Sequence, residues 1–236
     1  MKLENKKVVV IGGSSGIGLA IAKEAASAKA KVVIASRSPQ HLEEALAEIE
    51  ENILIYPVDI ENKASLQDFF QREGVVDHLV ITAGAVKMGN FIDMSVEDAI
   101  ASMNSKFFGA YRALKTSTVC AGGSITLISG TLSRRPTKGT VVAAAINAAI
   151  EGLGRALAIE LAPVRVNVIS PGLIETPLYD DLPADKREEL YQSKVDSLPV
   201  GRAGCSEDVS SVAMMLMTNG YTTGTVVDVD GGSQLV

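Results

Sequence analysis

The chain has 236 residues, 47% of them hydrophobic and 21% charged, enough to bury a substantial core and too apolar for a disordered, collagen-like or disulfide-stapled chain. Its 22 basic and 28 acidic residues leave a formal charge of -6, which argues against a general nucleic-acid binder. Cys120 and Cys205 lie far apart without CxxC spacing, and only His41 and His78 are available to join them, so two reduced thiols and no metal site are expected.

Lys2, Lys6 and Lys7 precede an apolar run, Val8 to Ile11, that glycines cut too short for a signal peptide. Val141 to Ile150, broken by Asn147, falls short of the ~18 apolar residues of a membrane span. The expectation is a soluble, cytoplasmic protein.

β-branched runs alternate with helical patterns along the chain. Val8–Ile11, Lys31–Ala35, Ile53–Tyr56, His78–Thr82, Ser124–Ser129, Val164–Ile169 and Thr225–Val229 read as strands. Gly18–Ala28, Pro39–Glu51, Lys63–Glu73, Val96–Cys120 and Thr140–Leu161 read as helices. Helix starts are marked by Ser38 before Pro39, by Asn62, by Ser95 with Asp98, and by Ser206 with Glu207 and Asp208. The repetition implies an α/β fold: a doubly wound, Rossmann-type parallel sheet of about seven strands, in three layers with helices on both faces. One domain is expected over 1–236. Its proline-rich segment at about 172–200, with a short helix Ala184–Val195, reads as a lid over the substrate.

The first strand runs into Gly12-Gly13-Ser14-Ser15-Gly16-Ile17-Gly18 and then a helix, the context in which glycines admit a pyrophosphate to backbone N–H groups at a helix start. The second strand ends in Ser36-Arg37-Ser38, where an NAD-specific protein usually carries a carboxylate for the adenosine ribose. A guanidinium there pairs instead with a 2′-phosphate, so NADP(H) is expected over NAD(H). Asp59, followed by Ile60, suits either an adenine-edge contact or the capping of a turn.

On these motifs the chain resembles the short-chain dehydrogenase/reductases over essentially its whole length. Gly12, Gly16 and Gly18 match the family's cofactor loop, and Ala83-Gly84 the end of its Asn-Asn-Ala-Gly motif. Ser170-Pro171-Gly172, with Ile174 and Thr176 beyond, is similar to the segment that reads the nicotinamide carboxamide, and Gly224 with Asp230-Gly231-Gly232 to the C-terminal strand. The resemblance implies a homo-oligomer, tetramer or dimer, acting on a small molecule.

The same alignment departs from the family at its reaction centre. The family's tyrosine falls on Ala143, its lysine on Asn147, its serine on Gly130 beside Ser129, and its asparagine on Lys106. An asparagine and a lysine have exchanged helices, so Lys106, Ser129 and Asn147 are the candidate catalytic set. Tyr179, or water held by Ser129 and Ser133, are alternative proton sources. Arg134, Arg135 and Lys138 on the adjoining loop either favour an anionic substrate or form a solvated turn. Three functions fit: an NADP(H)-dependent oxidoreductase of a small carbonyl, alcohol or conjugated substrate, a catalytically silent NADP-binding sensor or partner subunit, and a non-redox isomerase or lyase with Lys106 as base.

Overall fold

The computed structural model describes residues 2–49, 53–177 and 183–236. A seven-stranded, all-parallel sheet runs in the order β3-β2-β1-β4-β5-β6-β7. The strands are β1 (Lys7–Ile11), β2 (Lys31–Ser36), β3 (Leu54–Pro57), β4 (Val75–Ile81), β5 (Thr118–Ile128), β6 (Arg165–Pro171) and β7 (Val226–Val229). The helices are α1 (Gly16–Ser27), α2 (Pro39–Ala47), α3 (Lys63–Glu73), α4 (Val96–Met103), α5 (Gly109–Thr116), α6 (Val141–Glu160), α7 (Ala184–Val195) and α8 (Ser206–Thr218).

Alternate residues of each strand feed opposite cores, as the two-residue strand period requires. Val8 and Val10 of β1 pack with Ile21, Leu42 and Leu216 on the side of α1, α2 and α8. Val9 and Ile11 pack with Leu66, Phe70, Ala113 and Ile150 on the side of α3, α5 and α6. The strand order reverses between β1 and β4, so the crevice beyond Ile11 and Ile81 is where such a sheet receives a ligand.

The stretch expected as one helix, Val96–Cys120, is instead α4, a π-helical turn at Asn104–Phe108 and α5. The widened turn is closed by the Gly109 N–H, which donates to the Asn104 carbonyl; that carbonyl also accepts from the Arg112 guanidinium at 3.2 Å, while Asn104 Nδ2 donates to Glu61 at 2.9 Å. Helix α5 stops at Thr116 because Thr118 and Val119 pair with Val75 and Val76, so β5 begins six residues before the expected Ser124. The register then jumps to His78↔Ser124, leaving 120–123 as a bulge.

Helix α2 ends at Ala47 rather than Glu51, and residues 50–52 lie outside the described residues. Ser38, Asn62 and Ser95 accept hydrogen bonds from first-turn N–H groups as expected. Helix α8 is capped one residue earlier than expected, at Cys205, with Asp208 accepting from the Cys205 N–H at 2.8 Å. Helix α6 has the length and composition of a membrane span, 20 residues with a mean hydropathy of 1.4 over its most apolar window, and in this fold it packs on β5 and β6.

Candidate active site

Beyond β1 the chain turns through Gly12, whose N–H donates to the Ala35 carbonyl at 2.7 Å, and enters α1. A Cβ on Gly18 would stand 2.1 Å from the Gly12 carbonyl oxygen, so α1 approaches the strand as closely as only glycine permits. The α1 N-terminus carries no side-chain cap from Ser15, leaving its first-turn N–H groups facing the crevice mouth. Thr176 sits over Gly16. The fold thus brings Gly12, Ser14, Ser15, Gly16, Ile17, Gly18 and Thr176 together around the N-terminus of α1, an arrangement able to receive an anion.

At the end of β2, Arg37 is exposed and makes no hydrogen bond or ion pair among the described residues. Ser38 caps α2 by accepting from the His41 N–H at 3.2 Å, and the Ser36 hydroxyl reaches the Ser38 carbonyl at 3.5 Å. Asp59 Oδ1 accepts from the Glu61 N–H at 2.9 Å, so the aspartate closes a turn, one of the two roles open to it. Ile60 is buried under Gly109, and Ile174 is buried in the α1/α8 core, so both offer a ligand backbone rather than side chain. Ala83 N–H ties back to the Ile11 carbonyl at 3.1 Å, and Gly172 N–H to that of Val229 at 2.9 Å, placing Ala83-Gly84 and Pro171-Gly172 at the carboxyl ends of β4 and β6.

Between these ends lies Lys106, presented by the π-helical turn. A Cβ on Gly84 would stand 2.7 Å from Lys106 Cα, so the β4 terminus lies directly against the lysine backbone. Lys106 Nζ donates to Asn147 Oδ1 at 2.8 Å and to the Ser129 carbonyl at 3.2 Å. The two side chains are therefore in direct contact. Among the described residues no carboxylate offsets the burial of the ammonium, and the desolvation pushes its pKa down from the usual 10.5 to about 8. Asn147 is buried, and its amide nitrogen fills the space beside Gly130, where a Cβ would stand 2.8 Å from it.

Ala143, Asn147 and Glu151 follow one another at four-residue spacing on one face of α6, and all three are buried. Glu151 is the functional-region residue that motif reading missed, although a lone carboxylate on that face was its signal. It accepts from Ser133 Oγ at 2.6 Å and Ser129 Oγ at 3.3 Å, with Arg134 at 3.7 Å. The Ser129 hydroxyl thus turns to Glu151 while its carbonyl holds Lys106. Arg134 also binds Asp228 and, at 3.0 Å, the Ser170 hydroxyl, and Arg135 donates to the Ser233 carbonyl. Tyr179 lies outside the described residues. Among the described residues no cluster of His, Cys, Asp or Glu could hold a metal.

With that geometry in hand, comparison with known proteins is unambiguous about the class. A family model described as Enoyl-(Acyl carrier protein) reductase matches residues 11–234. The short-chain dehydrogenase/reductase ucsE of Acremonium sp is 31% identical, covering 98% of this chain and 96% of its own. The 3-oxoacyl-[acyl-carrier-protein] reductase of Bos taurus is likewise 31% identical, covering 98% and 99%. A small-chain dehydrogenase solved in complex with NADPH superposes with a TM-score of 0.89 at 41% identity, covering 99% of this chain and 100% of that one. The chain belongs to the short-chain dehydrogenase/reductase family.

Proposed function

We infer that this chain is an NADP(H)-dependent oxidoreductase with a non-standard reaction centre, acting on a small carbonyl, alcohol or conjugated substrate. The observation that carries the reading is the Lys106–Asn147 contact at 2.8 Å, at the carboxyl ends of the strands and beside an uncapped glycine-loop helix. The NADPH held by a 41% identical relative and the unpartnered Arg37 support the choice of cofactor.

The residues fit NADP(H): the α1 N–H groups would receive the pyrophosphate, Arg37 the 2′-phosphate, and Pro171, Gly172 and Thr176 the nicotinamide end. When bound, the nicotinamide supplies or accepts a hydride. Lys106 keeps a third N–H beyond those given to Asn147 and Ser129, and it donates this to the substrate oxygen as negative charge develops there. Asn147 orients the ammonium through Oδ1 and keeps Nδ2 for a ribose hydroxyl. Ala143, buried on the same helix face, carries no proton to give, so Lys106 takes the role that the family assigns to tyrosine. The expected lid segment at 172–200 lies partly outside the described residues; the exposed Val96, Ile100, Phe108 and Tyr111 support a homo-oligomer.

A silent NADP-binding protein is the second reading, favoured by the capture of both Ser129 and Ser133 hydroxyls by Glu151. Parallel titration of wild type and Arg37→Ser with NADPH and NADH tests the cofactor assignment. Loss of an arginine–phosphate pair weakens NADPH binding by about 10- to 100-fold while NADH is unaffected. Equal loss for both nucleotides, or for neither, removes the assignment. NADPH oxidation over a carbonyl, enone and imine panel then separates enzyme from sensor.

A further inference from the structure

A cavity of about 300 Å³ opens at the amino ends of β4, β5 and β6, the end of the sheet opposite the crevice beyond Ile11 and Ile81. Strand β6 sets the separation, because it runs from Arg165 in the cavity lining to Pro171 at the carboxyl ends of the strands, about 20 Å away. The bulge of β5 at 120–123 forms one wall, and Lys2, Lys6, Asp77, His78 and Arg165 line the remainder.

These walls hold more donors than the fold uses. Arg165 is only 8% exposed, and its guanidinium carries five N–H groups. Nη1 donates to the Leu216 and Thr222 carbonyls, and Nη2 to that of Met217 at 2.9 Å. Nε has no partner among the described residues, and one N–H is left on Nη2. The two unused donors therefore sit on adjacent nitrogens, the fork that takes two oxygens of one carboxylate or phosphate. His78, 6% exposed, meets Ser124 Oγ through Nδ1 at 2.8 Å, and its other ring nitrogen is without a partner among the described residues. Burial pushes its pKa down to about 4, so the ring is uncharged at neutral pH.

Helix capping accounts for part of this arrangement. Lys2 Nζ donates to the Thr218 carbonyl at 3.2 Å, so Lys2 and Arg165 gather on three consecutive carbonyls, Leu216 to Thr218, at the end of α8. A helix C-terminus carries about half an elementary negative charge, against two full positive ones here. Asp77 is already engaged: Oδ1 accepts from Lys6 Nζ at 2.9 Å and from Cys120 Sγ at 3.5 Å, and Oδ2 from the Lys7 N–H at 2.9 Å. Neither Lys2 nor Arg165 pairs with a carboxylate among the described residues. A buried cation without a counter-ion is costly, and an anion in the cavity supplies one. We propose that this cavity is a second ligand site, separate from the cofactor crevice, for a small oxyanion, a phosphate or a carboxylate, received by Nε and Nη2 of Arg165 with Lys2 beside it.

The test is titration of the nitrogen-15-labelled chain with inorganic phosphate, and separately with succinate, at constant ionic strength, followed by two-dimensional NMR. Amide shifts of Ala121, Gly122 and Gly123 report this cavity, whereas those of Gly16, Ile17 and Gly18 report phosphate at the α1 end, so the two places are read apart. Saturable shifts at 121–123 are expected with one anion or both, and the tighter of the two identifies the oxyanion. Arg165→Lys keeps a cation and a donor for the α8 carbonyls but loses the fork, and weakens binding at 121–123 by about 10- to 100-fold. Lys2→Glu alters an exposed side chain, so it keeps the fold, and reverses the charge beside the site, weakening binding there by about tenfold at low salt. Any shifts at Gly16–Gly18 are the same in all three proteins. Absence of saturable shifts at 121–123 with either anion overturns the proposal, and so does an unchanged affinity there in either folded variant.

Discussion

Replacing Lys106 by methionine offers a test of the reaction centre that needs no knowledge of the substrate. The lysine is held near a pKa of about 8 in the folded protein, against 10.5 when free, because its ammonium is desolvated without a carboxylate beside it. Between those values the unfolded chain binds a proton that the folded protein does not, so wild-type stability rises with pH through this window. The destabilisation is fully present below about pH 8 and relieved as pH approaches 10.5. The gap bounds the effect at about 3 kcal/mol, at about 1.4 kcal/mol per pH unit. Lys106→Met has no titrating group there and lacks this pH dependence. Below pH 8 it also leaves Asn147 Oδ1 and the Ser129 carbonyl without their donor, at about 1–3 kcal/mol each, which offsets the removed charge. The discriminating quantity is therefore the slope. Urea denaturation of both proteins at intervals from pH 7 to 10.5 will give wild type up to about 3 kcal/mol more stabilisation over that range than the variant. Parallel curves would mean that the ammonium is ordinary and solvated, and the reasoning about the centre would fall. Where a turnover substrate is found, reduction by wild type will decline above about pH 8 as Lys106 loses its proton, and the variant will be slower by about 10²- to 10⁴-fold with no such limb.

Two further substitutions probe the surrounding frame. Gly18→Ala places a methyl 2.1 Å from the Gly12 carbonyl, so α1 must move; we expect a loss of about 1–3 kcal/mol in stability and of NADPH binding together, and an unchanged Kd measured by fluorescence titration would contradict the close approach. Glu151→Leu leaves the Ser133 hydroxyl without its acceptor and the Ser129 hydroxyl with only the Ile169 carbonyl at 3.4 Å, while Arg134 keeps Asp228, and should cost about 1–3 kcal/mol by thermal or chemical unfolding; no measurable loss would show that the carboxylate does not organise the loop.

Much of this architecture was legible in the residues alone. The alternation of β-branched runs with alanine- and leucine-rich helical stretches dictates a parallel sheet, because backbone pairing and burial on both faces leave few other arrangements. The glycine loop was legible too, since close approach of helix to strand restricts residue type directly. Tertiary structure decided the rest. Pairing of Thr118 and Val119 with Val75 and Val76 ended a helix whose local pattern ran on to Cys120. Long-range partners turned the Ser129 hydroxyl away from the cleft and bound Arg134 to Asp228, far off in sequence. Above all, the contact between Lys106 and Asn147, and the desolvation that lowers the lysine's pKa, exist only once α6 packs beside the π-helical turn. Periodicity and residue type act over a few neighbours and are written in the chain; burial and partnership depend on what the fold brings alongside.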